Sequence, residues 1–234
     1  MDIELPIRIL RQPDDTTCGP TCLHAVYSYY DNPVSLEDVI ESTSALAKGG
    51  GTLAVYLACD ALRRGYQATI YTYNLQVFDP TWFNNPGTDL IQKLEAQARA
   101  KNDDKLSFAT RGYIEFLQLG GKLRFVDLTT RLLRGIIRRR LPVLTGLSAT
   151  FLYRNMREIS ETNKDDDIYG YPAGHFVILN GYHKHDRTVL INDPYEPNPI
   201  AGTHTYAINI ERVICSILLG VLTYDANLLV IQPG

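Results

Sequence analysis

Cys18, His175 and Asp193 are the residue types that nucleophilic amide chemistry needs: a thiol, an imidazole and a carboxylate. A thiolate attacks a carbonyl, the imidazole takes up and returns the proton, and the carboxylate fixes the ring's tautomer. Cys18 lies in the stretch RQPDDTTCGPTCLHAVYSYY, residues 11 to 30, with Gln12 six residues ahead and Gly19-Pro20 directly behind. Beyond it, Cys22, Val26, Tyr29 and Tyr30 recur at helical spacing. Pro is favoured in a first helical turn, where its missing N–H costs nothing. The spacing predicts Cys18 at the N-terminus of a buried helix. Unpaired N–H groups and the positive end of the helix dipole favour a thiolate there.

The base and its partner come late in the chain. GHFVILNGYH begins at Gly174 and alternates as a strand does; RTVLINDP follows and stops at Asp193-Pro194. Paired as a hairpin, the start of the first strand and the end of the second lie side by side. A carboxylate at 193 then reaches the ring of His175 and stabilises its protonated form. Adjacent strand residues face opposite ways, so only one of Asn192 and Asp193 can serve.

Other chemically capable residues have plainer readings. Cys22, one turn beyond Cys18, is expected in the core, as are Cys59 and Cys215 in their apolar runs. His24 points elsewhere on the first helix. Cys18, Cys22 and His24 lack the second half of a zinc motif, and His183 and His185 fall in a hairpin turn exposed to solvent. No metal site and no cofactor are expected. The triple glycine Gly49-Gly50-Gly51 is a flexible break with no phosphate-loop Lys-Ser/Thr after it.

The elements that must position these residues can be read in order. Residues 3 to 10 read as a strand; Ser35 and Asp38 make an approximate capping box; Thr52 caps LAVYLACDALRR; QATIYTYNL and KLRFVDL read as strands; and Thr129 caps an Arg-rich helix. LPVLTGLS has the pattern of a strand buried on both faces. Residues 155 to 172, with Asp165, Asp166 and Asp167, read as a solvated polar loop. HTYAINIERVICSILLG reads as a strand and a helix, and NLLVIQP as a closing strand. Helices early and a strand meander late suggest an α+β domain. Residues 79 to 130 fit least well and read as an aromatic-bearing insertion or flap over a groove, within one domain spanning 1 to 234.

With 234 residues and 45% hydrophobic content, the chain can bury a full core. A net charge of −3 and a pI near 5.9 exclude nucleic acid as the expected partner. Arg131, Arg134, Arg138, Arg139 and Arg140 are spaced as the solvated face of a helix. No run approaches 18 apolar residues, the N-terminus lacks a secretory pattern, and four cysteines make no disulfide framework, so a cytoplasmic location is expected.

QPDDTTCGPTCL, followed by GHFVILNGY and INDP, resembles the cysteine peptidases that cut bacteriocin leaders after a double glycine, members of the papain-like group. The resemblance implies a papain-like α+β fold, with a Cys-bearing N-terminal helix packed on an antiparallel sheet. It implies Cys18 as nucleophile, His175 as base, Asp193 as orienting acid in preference to Asn192, and Gln12 as an oxyanion donor. The expected activity is hydrolysis of a peptide or isopeptide amide in a peptide or protein substrate. Acyl transfer by the same triad, or a silent peptide-binding module, are the alternatives.

Overall fold

The computed structural model describes residues 2–43, 51–159 and 162–234; Gly49-Gly50, read as a flexible break, lie outside them. In chain order the elements are β1 (Ile3–Glu4), α1 (Cys18–Tyr29), α2 (Leu36–Ser42), α3 (Ala54–Arg63) and β2 (Tyr66–Thr72). Next come α4 (Leu90–Lys101), α5 (Asp104–Gln118), β3 (Lys122–Arg124), α6 (Thr130–Arg138), β4 (Val143–Ser148) and α7 (Ala149–Tyr153). The remainder is β5 (Glu158–Ile159), β6 (Lys164–Asp165), β7 (Gly174–His183), β8 (Thr188–Asn192), β9 (Thr205–Asn209), α8 (Ile210–Leu219) and β10 (Asn227–Pro233).

One sheet runs in the order β3-β2-β10-β4-β7-β8-β9, with β1 added to β7; every pairing is antiparallel except β2 with β3. Both faces are covered, and the strand sequences record it. Phe176 and Ile178 of β7 join the core under α1, α3 and α5, while Val177 and Leu179 join the core under α6 and α8. Leu229 and Ile231 of β10 divide from Leu228 and Val230 in the same way. β4 is buried at every position, as its unbroken apolar run requires.

The helix that carries Cys18 is fixed from several directions. Gly19 has no room for a side chain: an added Cβ would lie 2.8 Å from Thr52 Cγ2 and 3.2 Å from Phe176 Cδ2. Buried Tyr27 donates to Asp60 Oδ2 of α3 at 2.7 Å, and Arg64 Nε meets the same oxygen at 2.7 Å. The α1 axis is thereby held against α3 and the sheet together.

Several expectations need correction. The first strand is two residues long, because residues 5 to 10 leave the sheet after Leu5 has bonded Asn180. The strand expected from KLRFVDL is confined to Lys122–Arg124. Helix α3 begins after Leu53, and its first N–H, on Ala54, donates to Asp225 Oδ1 at 3.2 Å, so a distant carboxylate fills the capping role. Cys215 is exposed, since its position on α8 faces away from the apolar stripe of Val213 and Ile217.

Residues 79 to 130 are also not a loose flap. Leu94, Leu106, Tyr113 and Phe116 are fully buried in the core beneath α3, and Trp82 and Phe83 pack against it. Phe78 gathers Trp82, Phe83 and Tyr113 edge-on at 6.4, 5.9 and 4.7 Å between ring centroids. Ser35, by contrast, accepts from Asp38 N, and Thr129 from Leu132 N, as their sequence positions predict. The arginines of α6 face outward from Leu133, Ile136 and Ile137; Arg134 lies over the Tyr182 ring at 4.9 Å.

Candidate active site

Cys18 is the first residue of α1, and the loop before it is tied into a compact turn. Asp14 Oδ1 accepts from Thr16 N and Thr16 Oγ1 at 2.8 and 2.7 Å, and the Asp14 carbonyl accepts from Thr17 Oγ1 at 3.1 Å. Gln12 Nε2 donates to that same carbonyl at 2.8 Å, while its backbone N–H bonds Pro194 O at 2.9 Å. The residues PDDTT therefore build the platform that joins Gln12, the end of the late hairpin and the start of α1.

His175 stands at the second position of β7, and its Nε2 lies 2.8 Å from Asp193 Oδ1. Cys18 is close enough to the same ring to act on its charge, and with Nε2 engaged by Asp193 the nitrogen left free is Nδ1. Burial alone would lower the pKa of this histidine. The Asp193 charge and hydrogen bond, with Cys18, overcome that and raise it to about 10. Asp193 is completely buried; burial would raise its carboxyl, but His175, Tyr153 and Tyr206 hold it below the usual carboxylate range. The site thus favours an imidazolium beside the Asp193 carboxylate.

Asn192, the alternative orienter, faces the other way and donates to Ile7 O and Thr205 Oγ1, both at 3.2 Å. Cys22 is fully buried and donates to Phe176 O at 3.4 Å. Burial first, then the charges of Cys18 and Asp193, push its thiol well up and keep it protonated. His24 is half-buried beside Val34 and Glu37, and burial lowers its pKa. His185 is exposed and paired with Asp186, and His183 ends β7. Among the described residues no cluster of three or more His, Cys, Asp or Glu could hold a metal ion.

A cavity of about 390 Å³ opens beside His175 and is lined by Gln12, Tyr153 and Tyr195 together with Asp15, Glu158 and Asp165. The segment 155 to 172, read as merely solvated, supplies part of its wall through Asn155, Glu158, Asn163 and Asp165, where β5 pairs with β6. Burial raises the Glu158 carboxyl, Asp165 and Asp15 raise it further, and His175 opposes them. Two more residues escaped the sequence reading: Tyr153 and Tyr206 each donate to Asp193 Oδ2 at 2.6 Å. Neither has a local motif; only the sheet order brings β9 and the end of α7 to this carboxylate.

The Peptidase_C39 like family matches residues 121–213, a segment that holds His175 and Asp193. No curated protein matches the chain. Among solved structures, a C39-like peptidase from Bacillus anthracis is similar at a TM-score of 0.53 and 13% identity, covering 100% of this chain and 98% of that one. A double-glycine motif protease from an AMS/PCAT transporter, in complex with its leader peptide, is similar at a TM-score of 0.45 and 15% identity over 99% and 94% of the two chains. Xylellain, a cysteine protease from Xylella fastidiosa, gives 0.46 and 15% over 100% and 86%. The fold is that of the papain-like C39 peptidases, as the resemblance implied. Among the described residues no helix is long and apolar enough to cross a membrane.

Proposed function

We propose that this chain is a cysteine peptidase that hydrolyses a peptide or isopeptide amide with Cys18, His175 and Asp193 as its triad. The observation that carries the reading is the His175 ring, 2.8 Å from Asp193 Oδ1 and with Cys18, at the head of α1, close enough to act on its charge.

Cys18 Sγ, its proton passed to His175, attacks the substrate carbonyl, and the C=O electrons move onto oxygen. Gln12 Nε2 has a second N–H beyond the one given to Asp14, and it joins the Cys18 backbone N–H as a donor to that oxyanion. Each such donor lowers the barrier by roughly 3 kcal/mol. His175 then protonates the departing amine, leaving a thioester on Cys18. Water, deprotonated by His175, cleaves the thioester, releasing the acid and restoring the thiol. The four unpaired cysteines fit a reducing, cytoplasmic setting.

The test is a peptide pool incubated with the wild-type chain and with Cys18→Ala. Cleavage by the first alone, with a substrate fragment trapped on Cys18 as a thioester after acid quench, is the expected result. Cleavage retained in Cys18→Ala would refute the reading.

A further inference from the structure

Asp193 has more hydrogen-bond partners than orienting one imidazole requires. Oδ1 accepts from His175 Nε2 at 2.8 Å and from Tyr195 N at 2.9 Å. Oδ2 accepts from Tyr153 Oη and Tyr206 Oη, both at 2.6 Å. Four donors fill the lone-pair sites of one carboxylate, and the two phenol contacts are as short as charge-assisted O–H···O⁻ bonds are. We propose that Tyr153 and Tyr206 are positioning residues of the triad, clamping Oδ2 of Asp193 from opposite flanks so that Oδ1 stays aimed at His175. The inference rests on the peptidase reading above.

The flanks are structurally independent. Tyr153 ends α7, which follows β4 on one side of the β7–β8 hairpin; Tyr206 lies in β9 on the other side, paired with Ile191. A carboxylate can swing about its side-chain bonds, and a small misplacement of an orienting group costs catalysis heavily. Two phenols on diverging elements block that swing. They also spread the anion's charge, which weakens its hold on the proton shared with His175. Burial foremost, and then the charge of Asp193 and the hydrogen bond to it, raise both phenols far above the ordinary tyrosine value, so they remain donors throughout the working range.

The other groups facing the pair are Cys18 and Cys22 of α1, Glu158 of β5, and the Tyr195 ring, 6.2 Å from His175. His204, bonded to Asp193 O at 2.7 Å and to Glu196, and Arg212 of α8, whose charge acts on Tyr206, also face the site. None of them donates to Oδ2. Tyr153 also lines the cavity, whereas Tyr206 does not, so Tyr206 reports positioning free of substrate contact.

The experiment compares Tyr206→Phe and Tyr153→Phe with the wild-type chain, each ring kept and one hydroxyl removed. Two profiles are recorded against pH: kcat/KM on a peptide that the wild type cleaves, and iodoacetamide alkylation of Cys18. Loss of a donor to the anion raises the proton affinity of the His175–Asp193 pair. The alkaline step of both profiles should therefore move up by about one pH unit. In Tyr206→Phe, kcat should fall about tenfold or more with KM unchanged. Profiles that superimpose on the wild type in both variants, with only the melting temperature lowered, would overturn the proposal. A shifted alkylation profile in a chain that cleaves no peptide would uphold the clamp and remove the peptidase reading. If Tyr206→Phe does not fold, Tyr153→Phe decides by the same profiles.

Discussion

Asn180 is an extra residue in β7, and by being there it decides which face of the sheet Asp193 occupies. Near the turn His183 pairs with Thr188 and Gly181 with Leu190, but beyond Asn180 the register shifts and Leu179 pairs with Ile191 and Ile178 with Asn192. Opposed residues share a face. Asn192 therefore lies with Ile178 and Phe176, and Asp193, one step on, lies with Val177 and His175. Without the bulge Asn192 would stand against Leu179, on the face of His175. The bulge is itself held, since Leu5 N bonds Asn180 O at 2.7 Å and Asn180 Nδ2 bonds Leu5 O at 3.2 Å.

Deleting Asn180 should accordingly exchange the two faces. The deletion variant should lose activity, and adding Asn192→Asp with Asp193→Asn should restore part of it, measured as kcat/KM. In the intact chain Asp193→Asn alone should cost orders of magnitude through the wrong tautomer of His175. A deletion variant that stays active and still depends on Asp193 would refute this account.

The two cysteines of α1 should part company. Cys18→Ala should abolish turnover at nearly unchanged melting temperature. Cys22→Ala should keep activity and lose about 1 kcal/mol or more of stability, because it opens a void in the core. Thermal melts beside a peptide assay separate the two, and an inactive Cys22→Ala would reverse the assignment.

Carboxylates of Asp15, Glu158 and Asp165 line the cavity, which among the described residues has no Lys or Arg in its lining. Peptides with Lys or Arg beside the scissile bond should be cut several-fold faster than Glu-bearing ones at low salt. The ratio should shrink as ionic strength rises and in Glu158→Gln. A ratio indifferent to both salt and Glu158 would contradict the electrostatic argument.

Asp225 should add a pH dependence of stability between about 4 and 7. Burial raises its carboxyl to about 7, against hydrogen bonds from Asn227 and Ala54 and the charge of Lys105. The folded state thus holds a proton that the unfolded chain releases near the ordinary value of 3.8. This contribution is fully present below about 4 and is lost as pH rises through about 7, with a slope of at most about 1.4 kcal/mol per pH unit. Asp225→Asn should flatten that slope in denaturant titrations; a slope unchanged from the wild type would place the titrating group elsewhere.

Trp82 and Phe83 pack against the core beneath α3, and no residue of 79 to 130 lines the His175 cavity. Their joint replacement by Ala should lower the melting temperature by several degrees and leave KM unchanged. A changed KM at an unchanged melting temperature would bring the flap reading back.

Much of the site could be read from the chain because its signals are local. Gly19-Pro20 and the helical spacing after Cys18 start α1 where the thiol needs it, and two alternating runs separated by a turn announce the hairpin that brings residues 175 and 193 together. The resemblance carried by the same strings anticipated the papain-like fold. The Gly181 that follows Asn180 was a bulge signal in plain view, since glycine inside a strand often marks one. Its consequence, however, depends on the register of a partner strand. The β5–β6 wall, the burial of 79 to 130, and the phenols of Tyr153 and Tyr206 depended on which elements became neighbours across the sheet. Sequence spacing fixes what a residue's own helix or strand does with it. The resemblance pointed to Asp193, but the pairing of the strands is what sets it, and not Asn192, within reach of His175 and gives it its tyrosines, because a face of a sheet, and the groups that meet on it, exist only once strands are paired.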